Sequence, residues 1–163
     1  MAGDDLSAWL NRHGAALVLL ARQWVPGYAD AEDVVQEAFV RFWRSRERAQ
    51  DRAAYLFACV RNCARDRRRG EARRAKRESA AAVPEAEPAF DAPLEQAERA
   101  AAVEAALSSL PEEQREVLVM KIWGGLTFAQ IGEALAVASN TAASRYRYAL
   151  DKLREQLAEE PTR

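Results

Sequence analysis

The strongest local pattern in the chain is Thr127-Phe-Ala-Gln-Ile-Gly-Glu-Ala-Leu135, then Ala136-Val-Ala138, then Ser139-Asn-Thr-Ala-Ala-Ser-Arg-Tyr-Arg-Tyr-Ala-Leu150. Thr127 followed three residues later by Gln130 is a capping box, which predicts that a short helix begins there. The three small or apolar residues after Leu135 predict a tight turn, and Ser139 is predicted to cap a second, longer helix. Ala129 and Gly132 are small enough to let the two helices approach closely. The pattern therefore predicts a helix-turn-helix.

The beginning of the second helix carries polar side chains that suit contact with DNA. In a DNA-binding helix-turn-helix this part of the helix enters the major groove. Amide and hydroxyl groups can meet base edges there, and arginines can meet guanine or phosphate. An ordinary helical hairpin with a solvated face gives the same pattern, so this stretch alone leaves both readings open. The candidate contacts are Asn140, Thr141, Ser144, Arg145 and Arg147.

The composition extends the helical prediction to the whole chain. Among 163 residues there are 35 alanines but only 16 valines, isoleucines and threonines together. Alanine is the best helix former and β-branched residues favour strands, so the chain is predicted to be all-α rather than a Rossmann or barrel enzyme. The sequence has no recognisable metal-ligand cluster, glycine-rich phosphate loop or nucleophile–base set. We therefore expect no enzymatic activity, no metal and no cofactor.

A formal net charge of −1 conceals a basic block followed by an acidic one. Residues 51–77 contain 10 basic and 3 acidic side chains, whereas residues 78–100 contain 1 basic and 6 acidic ones. A helix is predicted from Ala53 that starts amphipathic, with Tyr55 and Phe57 as its aromatic residues, and turns basic toward Arg77. Arginines bind phosphates and aromatic rings stack on exposed bases, so this helix is a second candidate nucleic-acid surface. A solvated charged surface is the alternative.

The acidic block divides the chain. Residues 78–93 contain Pro84, Pro88 and Pro93, and their acidic side chains have no basic partner among them, which is the composition of a flexible linker. We expect two small helical domains, residues 1–77 and 94–163, joined by residues 78–93.

Two further segments of the first domain show helical spacing. The run from Leu6 to Val25, which includes Leu10, predicts a helix that ends at Pro26, and His13 is predicted to lie at the edge of the core. Asp30, with Asp33 three residues later, is predicted to cap the next helix, whose apolar stripe runs to Trp43. Its opposite face is polar and is either solvated or a binding surface. Cys59 and Cys63 are predicted to be small buried hydrophobes.

Three motifs in this order resemble the bacterial alternative sigma factors of the extracytoplasmic-function (ECF) type. The residues from Asp30 to Trp43 resemble the family's second conserved region, and Ala54–Asp66 resembles the helix that melts and reads the minus-ten promoter element. Leu110–Leu118 and Gly125–Leu135 resemble the fourth region, whose helix-turn-helix reads the minus-thirty-five element. The chain departs from the family at Ala136, where glycine is common, and at Ala142 and Ala143, where valine and a basic residue are common.

The resemblance implies a promoter-specificity subunit and a role for each surface. The polymerase-binding residues would be Asp33, Gln36, Glu37, Val40 and Arg41. The minus-ten residues would be Tyr55, Arg61, Asn62, Arg65, Arg68 and Arg69, and the minus-thirty-five residues would be those given above for the helix-turn-helix. The implied partners are promoter DNA and the polymerase core, through its β′ coiled coil and β flap, with an anti-sigma factor as a candidate regulator.

Two further expectations follow from the chain as a whole. The acidic start Met1–Asp5 and the shortness of the apolar run Ala15–Ala21 predict no membrane insertion and a cytoplasmic location. A conventional helix-turn-helix regulator that does not act as a polymerase subunit is the alternative function.

Overall fold

The computed structural model describes residues 6–77 and 94–159, which form seven α-helices and one short 3₁₀ turn, without a strand in those two ranges. The chain divides into two compact units, Met1–Ala89 and Phe90–Arg163. The prediction of an all-α fold is confirmed. The linker predicted at residues 78–93 lies outside the described residues, so its flexibility stays a prediction.

The first unit is a three-helix bundle. Its elements are α1 (Leu6–Ala21), α2 (Tyr28–Ser45), a 3₁₀ turn (Arg46–Arg48) and α3 (Arg52–Arg77). The most extensive contact is between α2 and α3, and α1 packs against both. Leu17, Phe42 and Phe57 are completely or almost completely buried between the three helices. The unit therefore has a hydrophobic core of its own.

The start of α2 corrects the predicted cap. The helix begins at Tyr28 with Gly27 as its N-cap, and no side chain caps it. Asp30 instead lies in the first turn, where its carboxylate is favourable to the positive end of the helix dipole. The prediction of Asp30 as N-cap was wrong because the cap lies three residues earlier, at Gly27, and the helix starts directly after Pro26-Gly27. Similarly, α1 ends at Ala21 rather than Val25, although Val25 remains buried.

The buried polar and sulfur-containing side chains of this unit lie where the sequence predicted. Cys59 and Cys63 are free, buried thiols, and burial raises the pKa of both. His13 is 6% exposed, and its ring lies 5.3 Å from Trp9 and 5.7 Å from Phe57 between centroids. Burial, and to a smaller extent the Arg12 guanidinium, lower the pKa of His13. Its imidazole is therefore a neutral part of the core.

The second unit places a long helix across two shorter ones. Its helices are α4 (Leu94–Ser108), α5 (Glu112–Ile122), α6 (Phe128–Leu135) and α7 (Ser139–Glu159). The helix α7 packs on α5 and α6 through Ala142 and Ala149, both completely buried. Toward its end, Gln156 Nε2 donates a hydrogen bond to Ser109 Oγ over 2.7 Å. Leu157, one residue further along α7, is 71% exposed.

Candidate nucleic-acid interface

The helix-turn-helix of the second unit has the predicted capping box. The backbone N–H of Gln130 donates to Thr127 Oγ1 over 3.1 Å, and the backbone N–H of Thr127 donates to the side-chain oxygen Oε1 of Gln130 over 2.9 Å. These reciprocal bonds satisfy two of the amides that a helix start leaves without an intrahelical partner. The prediction that a short helix begins at this point is confirmed.

The turn between α6 and α7 depends on the backbone conformation of Ala136 and on the absence of a side chain at Gly132. Ala136 ends α6 in the left-handed conformation, with φ 57° and ψ 44°. The Val137 amide then donates to the Gly132 carbonyl over 2.9 Å. A Cβ at Gly132 would lie 2.7 Å from the Val137 carbonyl oxygen, which is too close for any other residue without a backbone shift. Gly132 therefore permits the close approach, whereas Ala129, also expected to do so, is exposed.

The start of α7 presents its polar side chains to solvent. Ser139 is the first helical residue rather than the cap, and the first helical bond runs from the Ala142 amide to the Ala138 carbonyl over 3.1 Å. Asn140 and Thr141 are exposed and Ser144 is partly exposed. These side chains lie at the position that enters the major groove in a DNA-binding helix-turn-helix.

The two arginines of this helix have different surroundings. Arg147 is exposed, with its guanidinium carbon 5.9 Å from the centroid of the Tyr148 ring. The Arg145 side chain is only 23% exposed, and its Nη2 lies 3.7 Å from Glu113 Oε2 on α5. Arg145 therefore links α7 to the start of α5 within the protein itself, a contact that the sequence pattern did not indicate.

The basic helix α3 of the first unit offers a second polar surface. Asn62, Arg68 and Arg69 are exposed, and Arg61 and Arg65 are partly exposed. Arg69 Nη1 lies 3.9 Å from Asp66 Oδ1, one turn earlier on the helix. The helix thus leaves the core after Ala64 and carries exposed guanidinium groups, which can neutralise phosphates.

The aromatic residues of α3 divide into one accessible ring and one inaccessible ring. Tyr55 is partly exposed, and its ring centroid lies 5.9 Å from that of Phe42. Burial raises the pKa of the Tyr55 phenol, opposed by a hydrogen bond with Ser45. Phe57 is completely buried, so the expectation that it stacks on bases was wrong. Its apolar side chain is part of the core beside His13.

The polar face predicted on α2 is exposed as a continuous strip. Asp33, Gln36, Glu37 and Arg41 are exposed, and Val40 is 51% exposed despite its apolar side chain. Glu37 Oε1 accepts a hydrogen bond from Arg41 Nη2 over 2.9 Å. The other side of the same helix is buried against α1 and α3. A surface that holds an uncovered valine among charged side chains is suited to contact with another protein.

An apolar groove lies beside this strip, between α1 and α2. It has a volume of about 370 Å³ and is lined by Leu6, Leu10, Gln36, Phe39, Val40, Trp43 and Arg44. Leu6 and Leu10 belong to the predicted apolar stripe of α1 but are 45% and 49% exposed. The groove continues the α2 strip because Gln36 and Val40 line both.

A polar crevice between α2 and α3 was missed by sequence reasoning. Its volume is about 440 Å³, and it is lined by Asp30, Asp33, Glu37, Cys63, Asp66, Arg67, Gly70, Glu71 and Arg74. Arg67 Nη1 donates to the Asp30 carbonyl over 3.1 Å. The sequence grouped Arg67 with the basic block. Its position four residues after the buried Cys63 was the available signal that it faces α2.

Comparison with known proteins agrees with the division of the chain into two units. The family model for Sigma-70 region 2 matches residues 9–74, and that for Sigma-70, region 4 matches residues 106–155. The chain is 32% identical to the ECF RNA polymerase sigma factor SigL of Mycobacterium tuberculosis, over 94% of this chain and 89% of that protein. It belongs to the ECF family of RNA polymerase sigma factors. It is likewise 32% identical to the RNA polymerase sigma-E factor of Streptomyces coelicolor, over 94% of this chain and 86% of that one.

Solved structures support the fold of this ECF sigma factor. The sigma factor RpoE of Bartonella quintana, crystallised in complex with the anti-sigma factor NepR, matches with a TM-score of 0.69 and 23% identity. That match covers 98% of this chain and 100% of the RpoE chain.

The ECF sigma factor is a promoter-specificity factor for transcription initiation, and the alternative of a separate helix-turn-helix regulator is not favoured. No helix in residues 6–77 or 94–159 is long and apolar enough to cross a bilayer.

Proposed function

We propose that this ECF sigma factor binds core RNA polymerase through the exposed strip of α2, which consists of Asp33, Gln36, Glu37, Val40 and Arg41. The observation that carries the proposal is the uncovered strip itself, with Val40 51% exposed on a helix whose other side is buried. The coiled coil of the polymerase β′ subunit is the proposed occupant, and the adjoining apolar groove extends the surface available to it.

The minus-ten promoter element is the proposed ligand of α3. The proposed contacts are Tyr55, Arg61, Asn62, Arg65, Arg68 and Arg69. The accessible ring of Tyr55 stacks on an unpaired base, and the arginines neutralise phosphates of the opened strand. Asn62 recognises the edge of a base that has left the duplex.

The minus-thirty-five element is the proposed ligand of α7. Asn140, Thr141 and Ser144 contact base edges or phosphates in the major groove, and Arg147 contacts a phosphate or a guanine. Arg145 contributes by leaving Glu113, from which it lies 3.7 Å away in the free protein. The second unit also binds the polymerase β flap.

The organisation of the chain and its regulation by another protein are also part of its proposed function. Residues 1–77 and 94–163 act as separate domains connected by residues 78–93, so that one chain spans two promoter elements. The chain positions the polymerase but carries out no bond chemistry, takes no cofactor and acts in the cytoplasm. The RpoE structure is a complex with the anti-sigma factor NepR, and we propose an anti-sigma factor as a regulator of this chain.

Reversing the charge of the α2 strip tests the proposal. The double variant Asp33→Lys, Glu37→Lys changes two exposed side chains, so the fold should persist. The polymerase surface that complements the two carboxylates would then meet two ammonium groups, which it repels. We therefore expect affinity for purified core polymerase to fall about tenfold or more. Fluorescence anisotropy of the labelled sigma factor measures this affinity.

The control is Glu47→Lys, an exposed charge reversal on the 3₁₀ turn of the same unit and outside the strip. It should leave affinity for the core unchanged. Equal affinity of the folded double variant and the unmodified chain would refute the polymerase role of α2. Failure of the unmodified chain to co-elute with core polymerase on size exclusion, together with dimer formation, would instead favour the regulator alternative.

A further inference from the structure

Arg67 differs from the other arginines of α3 because it faces the protein. Its side chain is 28% exposed, compared with 63% for Arg69 two residues later. It points into the polar crevice between α3 and α2, where carboxylates outnumber guanidinium groups. An arginine in this place is poorly positioned to meet DNA and well positioned to act on α2.

Three contacts connect Arg67 to α2. Nη1 donates a hydrogen bond to the Asp30 carbonyl over 3.1 Å and lies 4.0 Å from Asp30 Oδ1. Nη2 lies 3.9 Å from Glu37 Oε2. The planar guanidinium group therefore reaches two turns of α2 at once, at residues seven positions apart, as the fixed fork of its donors allows.

Glu37 consequently lies between two guanidinium groups. Arg41 binds Oε1 over 2.9 Å from the same helix, and Arg67 approaches Oε2 from α3. Two cations on different sides limit the orientations that the Glu37 carboxylate can adopt. Arg67 also adds a positive charge to a crevice wall where Asp30, Asp33 and Glu37 would otherwise repel one another.

We infer that Arg67 is a positioning residue of the polymerase-binding strip: it holds Glu37 and the first turns of α2 in the orientation that polymerase recognises. This inference rests on the proposed function of that strip. Arg67 thereby connects the helix that reads the minus-ten element with the helix that binds polymerase, and it is not itself a DNA contact.

The test measures core binding and DNA binding separately. Arg67→Ala should weaken binding to purified core polymerase about three- to tenfold, as expected for the loss of coupled contacts. Arg67→Lys should show a smaller loss, because an ammonium group keeps the charge but cannot reach both turns. Arg73→Ala, an exposed charge removal later on α3, is the matched control and should leave core affinity unchanged.

Coupling to Glu37 separates positioning from general destabilisation. In a Glu37→Gln background, the effect of Arg67→Ala on core affinity should be at least twofold smaller than in the unmodified chain. At saturating core, promoter DNA with a pre-melted minus-ten element should bind Arg67→Ala holoenzyme normally, whereas Arg68→Ala should weaken it. Circular dichroism checks that each variant is folded, and Arg67→Lys maintains the test if Arg67→Ala is not.

Three outcomes would overturn the inference: unchanged core affinity of Arg67→Ala, an equal loss in the Glu37→Gln background, or a DNA defect like that of Arg68→Ala. The double reversal at Asp33 and Glu37 distinguishes the possible failures. If that reversal leaves core affinity unchanged, the proposed polymerase surface fails together with the role of Arg67. If the reversal weakens binding and Arg67→Ala does not, only the inference about Arg67 fails.

Discussion

His13 makes the stability of the first unit depend on pH. Its imidazole is buried between aromatic rings, and its pKa is below the ordinary value of about 6.5. As pH falls, the unfolded chain binds a proton before the folded chain does. The stabilisation is therefore complete above about pH 6.5 and is lost as pH falls toward the lower pKa of the folded state.

We expect the first unit to unfold at lower urea concentration at pH 5.5 than at pH 7.5. His13→Gln should reduce this difference, because His13 is the only histidine in the chain. Tryptophan fluorescence in a Trp123→Phe background reports the first unit alone, since the other tryptophans, Trp9, Trp24 and Trp43, all lie in it. An unaltered pH dependence in His13→Gln would contradict the assignment.

Ala136 adopts a backbone conformation that is unfavourable for alanine. With φ 57°, it occupies the left-handed region, which glycine adopts without steric cost and alanine does not. Ala136→Gly should stabilise the second unit by about 1 kcal/mol. Native-state hydrogen exchange of the buried amides Val117–Met120 should then slow about fivefold.

The control is the opposite change, from glycine to alanine, at Gly132 of α6. Gly132→Ala should accelerate exchange of the same amides, because the new Cβ would lie 2.7 Å from the Val137 carbonyl oxygen. Faster exchange in Ala136→Gly would mean that the left-handed conformation carries no cost in this chain.

The contact between α7 and α5 involves a residue proposed to bind DNA. Arg145 must leave Glu113 before it can meet DNA, so the carboxylate competes with the promoter. We expect Glu113→Gln to raise affinity for minus-thirty-five duplex about two- to threefold, as a partly exposed ion pair worth less than about 1 kcal/mol allows. Fluorescence anisotropy of a labelled duplex with the holoenzyme measures the change.

Removing any negative charge near DNA raises affinity, so the comparison needs two controls. Glu112→Gln removes the neighbouring charge, and its effect gives the non-specific part of the gain. In an Arg145→Ala background, Glu113→Gln should give no more than that part. Equal gains from the two glutamines in every background would show that Arg145 does not exchange Glu113 for DNA.

The helices show which features a sequence can predict. Thr127 and Gln130 are three residues apart, so their capping box depends only on local chemistry and was predictable. The inward positions of Cys59 and Cys63 followed from helical spacing and the apolar character of the thiols. These features require no knowledge of which helix lies opposite.

Features that depend on a neighbouring helix could not be predicted in the same way. Arg67 belongs to a run of arginines, and only the position of α2 distinguishes it from Arg68 and Arg69. The contact of Arg145 with Glu113 requires the packing of α7 on α5. The sequence suggests Phe57 as a base-stacking residue, and only the packing of the three helices shows that its ring is buried. The roles of the proposed contacts in either unit depend in addition on partners outside the chain, and they stay predictions.

Each of the two units has its own core and its own polar surface. Residues 9–74 match Sigma-70 region 2 and residues 106–155 match Sigma-70, region 4, so each family region lies within one unit. Two separate surfaces on one chain permit two separate steps, namely recognition of duplex DNA and capture of the opened strand.

If α7 recognises the duplex and α3 captures the opened strand, variants of the two helices should respond differently to a pre-melted promoter. Arg147→Ala removes an exposed cation from α7, which should weaken closed-complex formation and reduce the salt dependence of binding by about one unit of slope if the contact is to phosphate. Asn62→Ala should leave duplex binding nearly unchanged and slow strand opening, because its proposed partner is available only once bases are unstacked.

A promoter that carries a mismatched bubble at the minus-ten element separates the two defects. The bubble supplies open bases without the cost of melting, so it should restore much of the open-complex formation lost in Asn62→Ala. It cannot replace a duplex contact at the minus-thirty-five element, so the Arg147→Ala defect should persist. Permanganate footprinting for opening and gel-shift titration for closed complexes measure the two steps. Equal rescue of both variants, or rescue of neither, would contradict the assignment of duplex recognition to α7 and strand capture to α3.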